Sequence, residues 1–214
     1  MSIAMKRRRV IVLVCMLVII TGEFGCSQKS PVKEETYCTA ARVLAEETTK
    51  LLSDKGQIVV VTYDTTTVPV PYAAAQLDAF TKSIKLKSHV SIAAVESVGL
   101  NKGDLALAAT LDGEKYGEII SQHAGIDAIV SLAGPPVLTD AEMKKLPSNL
   151  PKCLVFGGSP SKLKRLFRAD IVQVAVISRF TPIAANAPEP RTNEERFNRE
   201  YEVLTSATAG SLGD

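Results

Sequence analysis

Three short polar loops, each following an apolar segment, contain the residues best suited to bind a ligand. The first loop offers a carboxylate and hydroxyls, and the other two combine glycines with a stiff proline and a serine. These residues are Asp64, Thr65, Thr66, Gly134, Pro135, Gly158 and Ser159. Carboxylate and hydroxyl oxygens form hydrogen bonds with small polar molecules. We therefore predict a ligand site where the loops meet, the alternative being that they are ordinary polar loops leaving strands.

The third loop has two interpretations. Backbone N–H groups at the start of a helix can hold an anion, and Lys162 and Arg165 are near in sequence. However, Ser159 followed by Pro160 is also a common way to open a helix, with serine at the N-cap and proline at the first helical position. Because Pro160 removes one N–H donor, the sequence favours a helix cap.

Catalytic, metal and cofactor motifs are missing from the sequence. His89 and His123 have no second ligand at metal-binding spacing, so we expect both to be structural. No serine-hydrolase elbow, phosphate-binding loop or dinucleotide fingerprint occurs. The loop at Asp64 lacks the glycine expected of an FMN-binding loop. We predict no catalytic residue, no metal and no cofactor, the alternative being a flavodoxin-like or hydrolase-type enzyme using Asp64 and Ser159.

The elements that must position these loops alternate regularly along the chain. Apolar strands are predicted at 57–63, 90–95, 126–132, 152–156 and 171–177, and amphipathic helices precede, separate and follow them. An apolar stretch at 105–111 is also predicted to be helical. Strands this apolar need both faces covered, which indicates a three-layer α/β sandwich with a five-stranded parallel sheet. Right-handed crossovers favour a flavodoxin-like, Rossmann-like strand order.

The two ends of the chain differ from this α/β pattern. Residues 1–26 are predicted to be a signal peptide or membrane anchor, 27–35 a linker, and 36–181 the α/β domain. Residues 182–214 begin as a Pro- and Ala-rich extended segment. A charged stretch, 193–204, then carries Phe197, Tyr201 and Leu204 at helical spacing, so this tail is predicted to be partly helical or disordered.

The first 26 residues have the composition of an export signal. Lys6 and three arginines precede eleven uninterrupted apolar residues, 10–20, too short a run to cross a hydrocarbon core of roughly 30 Å comfortably. Gly25-Cys26 resembles a bacterial lipoprotein signal, which implies lipidation of Cys26, although Glu23 departs from that pattern. Cleavage by ordinary signal peptidase and retention as an uncut anchor are the alternatives. The expected location is the cell envelope, outside the cytoplasm.

The charge balance of the mature chain bears on its partners. Without Lys6, Arg7, Arg8, Arg9 and Glu23, 21 basic and 22 acidic residues remain, so the net charge is near zero. Nucleic-acid binding needs clustered Lys and Arg. Because the charge is nearly balanced, we expect no nucleic-acid partner. Cys38 and Cys153 could pair in an oxidising compartment, but their predicted places in a helix and a core strand favour two buried thiols.

Residues 57–181 resemble one lobe of the type I periplasmic binding proteins. The resemblance lies in a first strand entering a polar loop (VVVTYDTTTVP), the helix AAAQLDAFTKSI, and GIDAIVSLAGPP. It implies ligand binding at the edge formed by Asp64, Thr65 and Gly134. The family binds between two lobes, whereas this sequence has too few residues for a second one.

We therefore expect an exported, membrane-tethered and non-enzymatic domain. Its partner would be a small-molecule ligand or an envelope protein, bound at the carboxyl edge of the sheet. The alternatives are the enzyme described above and a structural envelope protein acting through its tail.

Overall fold

The computed structural model describes residues 31–66, 70–87, 89–99, 111–179 and 188–209. Among these residues, six strands form one sheet: β1 (Lys55–Tyr63), β2 (His89–Val98), β3 (Ala128–Ser131), β4 (Lys152–Phe156), β5 (Val174–Ser178) and β6 (Tyr201–Thr205). The helices are α1 (Pro31–Leu51), α2 (Ala73–Lys87), α3 (Gly113–Gln122), α4 (Asp140–Met143), α5 (Pro160–Arg168), α6 (Asn193–Glu200) and α7 (Ser206–Ala209).

The strand order is β2-β1-β3-β4-β5-β6, with all neighbours parallel except β5 and β6. The predicted flavodoxin-like order of the first five strands is therefore confirmed. The point where the order reverses lies between β1 and β3, and it is there that open parallel sheets bind ligands. A one-residue irregularity between Ile58 and Val59 shifts the register of β1 against β2.

Each face of the sheet supports its own core because side chains alternate along a strand. Ile58 and Val60 of β1 face one core, which is covered by α1, α2 and Phe197 of α6. Val59 and Val61 face the other core, which is covered by α3 and α5. These four side chains of β1 are fully buried. The prediction of a strand covered on both faces is therefore confirmed for β1.

Two sequence predictions need correction. The helix α1 begins at Pro31, inside the predicted linker. The stretch 193–204, with its helical spacing, divides into α6 and the antiparallel strand β6, which makes the sheet six-stranded. Tyr201 and Leu204 are buried from within that strand, so burial rather than helical periodicity explains their apolar character.

Of the other predictions, two concern residues that the structure does not describe, and the prediction for the cysteines is confirmed. The leader, including Cys26, and the predicted helix at 105–111 lie outside the described residues. Cys38 and Cys153 are both buried free thiols, as expected. No helix in the described part of the chain is both long and apolar enough to span a bilayer.

Candidate ligand-binding site

The loop after β1 is organised around Asp64. Its backbone N–H donates to the Val98 carbonyl at 2.8 Å, which joins the ends of β1 and β2. Its Oδ1 accepts from the Thr66 backbone N–H at 2.8 Å and from the Thr66 hydroxyl at 2.6 Å. The hydroxyl bond, followed by the backbone bond, lowers the pKa of Asp64. The loop therefore presents a solvent-accessible carboxylate that stays charged at neutral pH.

A small cavity opens beside this carboxylate, between the ends of β1 and β2 and the start of α2. Its volume is about 260 Å³, near the lower limit for small-molecule pockets. The lining residues are Thr62, Tyr63, Asp64, Thr65, Thr66, Ala73, Ala74, Leu77, Val95 and Ser97. Val95 is 48% exposed, so the cavity combines apolar walls with a carboxylate and hydroxyls.

A row of aromatic rings lies at the same edge of the sheet, although none of its members lines the cavity. It is formed by Tyr72, Tyr37, Phe156, Tyr201 and Phe197, with neighbouring ring centroids between 5.3 and 6.2 Å apart. Tyr72 directly precedes Ala73 of the cavity wall and stacks on Tyr37. The first three rings are half-buried and the last two are buried. Aromatic faces are therefore presented at the same edge of the sheet as Asp64.

The second and third predicted loops pack against each other. Gly134 and Pro135 are buried, and the Ser131 hydroxyl donates to the Gly134 carbonyl at 2.6 Å. Gly158 lies so close to Pro135 that a Cβ built on it would be 2.9 Å from the proline Cγ. These residues form a compact wall, and none of them lines the cavity at Asp64.

Ser159 occupies the N-cap position of α5 with Pro160 after it, but its side chain makes no capping hydrogen bond. Its hydroxyl lies 3.4 Å from the Ser161 hydroxyl. Arg165 is bound elsewhere, since its guanidinium donates to the Leu138 carbonyl and contacts Asp140, both at 2.8 Å. Ser159 therefore lies outside the Asp64 cavity, and its role in binding stays a prediction.

Sequence reasoning missed two side-chain groupings because each is assembled across elements. The aromatic row joins α1, the loop before α2, β4 and α6–β6. The second grouping places Glu96 of β2 2.9 Å from His123 Nε2 and 3.5 Å from Lys115 Nζ. The hydrogen bond with His123 is the main factor that lowers the pKa of Glu96, with a smaller contribution from Lys115.

A larger cavity lies at the amino edge of the sheet. Its volume is about 960 Å³, and its walls include Lys55, His123, Asp127 and Lys152. Asp127 accepts from the Gln57 backbone N–H at 2.8 Å, so it has a structural bond at the start of β1. No group of three metal-ligating side chains occurs among the described residues. We place the candidate site at the opposite, carboxyl edge, in the cavity between the ends of β1 and β2, which borders the strand β1 at which the order reverses.

The mostly parallel sheet with helices on both faces has the fold of the periplasmic binding proteins. No protein-family model and no curated protein matches the chain. Similarity is therefore found only with solved structures.

Three such structures illustrate the likeness. AraP, an arabinose-binding protein from Geobacillus stearothermophilus, is 16% identical with a TM-score of 0.56, over 83% of this chain and 63% of that one. A sugar-binding protein of a Bacillus halodurans ABC transporter is 11% identical with a TM-score of 0.56, over 83% and 64%. A chain of the XylFII–LytSN complex is 16% identical with a TM-score of 0.53, over 80% and 60%. This chain therefore spans less than two thirds of each.

Proposed function

We propose that this protein is an extracytoplasmic, membrane-tethered and non-enzymatic domain that binds a small neutral sugar at the carboxyl edge of its sheet. The observation that carries the proposal is the charged Asp64 carboxylate in a small cavity, at the same edge of the sheet as a row of aromatic rings of which three are half-buried. Pockets that combine apolar walls with a few placed polar groups are typical ligand sites.

The carboxylate has the chemistry to bind hydroxyl groups. Thr66 occupies Oδ1, and no hydrogen bond to Oδ2 is found within the described residues. An ionised carboxylate forms stronger hydrogen bonds with O–H donors than a neutral acceptor does. Thr65 and Ser97 add hydroxyls that donate or accept in the same cavity. This set suits a ligand with several hydroxyl groups.

The aromatic rings supply the apolar part of such a site. Tyr37 and Tyr72 are stacked with their planes 22° apart, and both are half-buried. Aromatic side chains offer a flat apolar surface and, in tyrosine, a polar hydroxyl at its end. The C–H faces of a sugar ring can pack against such a surface while its hydroxyls reach the polar groups. The names of AraP and the Bacillus halodurans protein support a sugar as the ligand class.

The tether is proposed from the leader. Lys6 and three arginines before an apolar run of eleven residues support export, and Gly25-Cys26 supports lipidation of the cysteine. An anchored binding domain would remain at the outer surface of the membrane and meet solutes there.

Calorimetric titration of the full chain with arabinose and other neutral monosaccharides tests the ligand proposal. We expect Asp64→Asn to weaken the binding of the preferred sugar by about tenfold or more, because a charge-assisted bond becomes a neutral one. Asparagine keeps an oxygen that can accept from Thr66, so the loop should persist. Asp78→Asn, at an exposed carboxylate of α2 paired with Lys82, is the matched control and should leave the affinity unchanged.

Two results would contradict the proposal. One is the absence of any heat of binding at millimolar concentrations of every sugar in the series. The other is a sugar that binds Asp64→Asn and the wild type equally well.

A further inference from the structure

The near-zero net charge of the mature chain conceals a strongly basic segment. Residues 144–169 contain seven of its lysines and arginines and no aspartate or glutamate. The remainder of the mature chain is correspondingly acidic. A local excess of one sign of charge influences which partners a protein attracts, and it does not determine the fold.

The helix α5 displays most of this charge. Leu163, Leu166 and Phe167 are buried against the sheet, so they fix which side of the helix faces inward. Lys162, Arg165 and Arg168 are exposed on the remaining surface, and Lys164 is half-buried at its side. All the charged side chains of this helix are therefore cationic.

The turn after α4 extends the same surface. Arg165 contacts the Asp140 carboxylate and the Leu138 carbonyl at 2.8 Å each, which holds α4 against α5. Lys144 and Lys145 follow α4 directly and are exposed. We call this surface the basic face; its members are Lys144, Lys145, Lys162, Lys164, Arg165 and Arg168.

The carboxylates near the basic face already have hydrogen-bond or ionic partners. Asp140 is paired with Arg165, and Glu142 accepts from the Thr139 backbone N–H and hydroxyl at 2.6 and 2.7 Å. Asp170, beyond the end of α5, accepts from Gln173 at 3.1 Å. Within the described part of the chain, six cations, of which Lys164 and Arg165 have contacts of their own, lie near these three carboxylates, so the net charge of this surface is positive.

The composition of the basic face favours a charged surface over a fitted protein partner. Cores of protein interfaces are rich in aromatic residues and poor in lysine. Four of the six cations here are lysines, and no aromatic ring is exposed on α5. Among the large exposed apolar side chains of the described residues, Val137 is the nearest to this surface in sequence. Lysines and arginines near a membrane are attracted by anionic lipid headgroups.

We propose that the basic face docks the domain onto a bilayer that contains anionic phospholipids. The inference rests on the membrane location proposed above, but not on the ligand site. Basic residues close to a bilayer add electrostatic attraction to anionic lipids to whatever binding an anchor provides. The leader and the basic face would together hold the domain on the bilayer.

Flotation of the full chain with vesicles tests the proposal, using phosphatidylcholine alone or phosphatidylcholine with phosphatidylglycerol at a molar ratio of about 7:3. We expect a preference for the anionic vesicles that disappears at about 0.5 M salt, because screening shortens the range of the interaction. The quadruple variant Lys144→Gln, Lys145→Gln, Lys162→Gln, Arg168→Gln should lower this preference by about a hundredfold or more, since four residues that contribute about fivefold each multiply to roughly 600-fold.

The matched control removes four exposed lysines outside the basic face, with Lys50→Gln, Lys55→Gln, Lys82→Gln and Lys85→Gln. Both quadruple variants have the same net charge and the same leader. Equal losses in the two variants would overturn the proposal, because net charge alone would then explain binding. Binding to duplex DNA is measured in parallel. If the first quadruple variant loses DNA binding but keeps its preference for anionic vesicles, the proposal would also be overturned. A retained vesicle preference in a chain that binds no sugar would support the basic face and contradict only the ligand site.

Discussion

Gly157 and Gly158 allow backbone strain and steric clash, the two costs of adding a side chain at a glycine, to be measured separately. Both have positive φ, at +84° and +104°, a region where side chains with a Cβ are strained. A Cβ on Gly157 would meet no atom within 4 Å, whereas one on Gly158 would be 2.9 Å from the rigid ring of Pro135. The first position thus isolates backbone strain, and the second adds a steric clash.

We expect Gly157→Ala to lower the free energy of unfolding by about 1 kcal/mol, and Gly158→Ala to lower it by about 2 kcal/mol or more. Urea denaturation followed by circular dichroism measures both. Equal losses would mean that the wall formed by Pro135 yields without cost. Gly117→Ala in α3, where a Cβ also meets no atom within 4 Å, should be neutral or slightly stabilising.

The residues of the candidate site were predictable to different degrees. Asp64, Thr65 and Thr66 were found because a polar loop after a buried parallel strand must lie at the carboxyl edge of the sheet. The stacking of Tyr72 on Tyr37 was not found, since the two residues are 35 positions apart and belong to different elements. Nothing in local spacing indicates such a contact.

The helix α6 and the strand β6 complete the sheet from the far end of the chain. Phe197 is 6% exposed, packs in the core under α1, and stacks on Tyr201 with centroids 5.8 Å apart. Arg179 holds the start of β6, because its Nε donates to the Tyr201 carbonyl at 2.9 Å. These contacts make α6 and β6 part of the domain.

Phe197→Ala should therefore destabilise the whole domain by about 3 kcal/mol, in the range for large core truncations. Leu86→Ala is the matched control, because Leu86 is 83% exposed and its loss should change stability by about 0.5 kcal/mol or less. Thermal or urea denaturation measures the difference. A Phe197 variant as stable as the Leu86 variant would show that α6 is only loosely attached.

On the scale of the whole molecule, the two buried cysteines become accessible through different unfolding events. Cys153 is fully buried in the central strand β4, and burial raises the pKa of its thiol to about 12. Cys38 is 9% exposed between α1 and α2, and its thiol donates to the Ala75 carbonyl at 3.6 Å; burial raises its pKa as well. A raised pKa leaves less of each thiol in the reactive thiolate form.

We expect maleimide labelling of the native chain, mapped by peptide mass, to modify Cys38 much faster than Cys153. A local separation of α1 from α2 exposes the first, whereas the second requires unfolding of the sheet. In strong denaturant both should react at similar rates. Comparable rates under native conditions would contradict a single cooperative core around β4.

The sequence alone determined the layered α/β class and the order of the first five strands. Apolar runs of strand length alternating with amphipathic helices require a parallel sheet covered on both faces, and few topologies satisfy that requirement. It also placed Asp64 at the edge of the sheet. Only the tertiary structure decided that Tyr201 and Leu204 belong to a sixth strand, because spacing cannot separate a short buried strand from a helix face. The aromatic row and the basic face likewise depend on which elements pack together, and local sequence does not encode those long-range contacts.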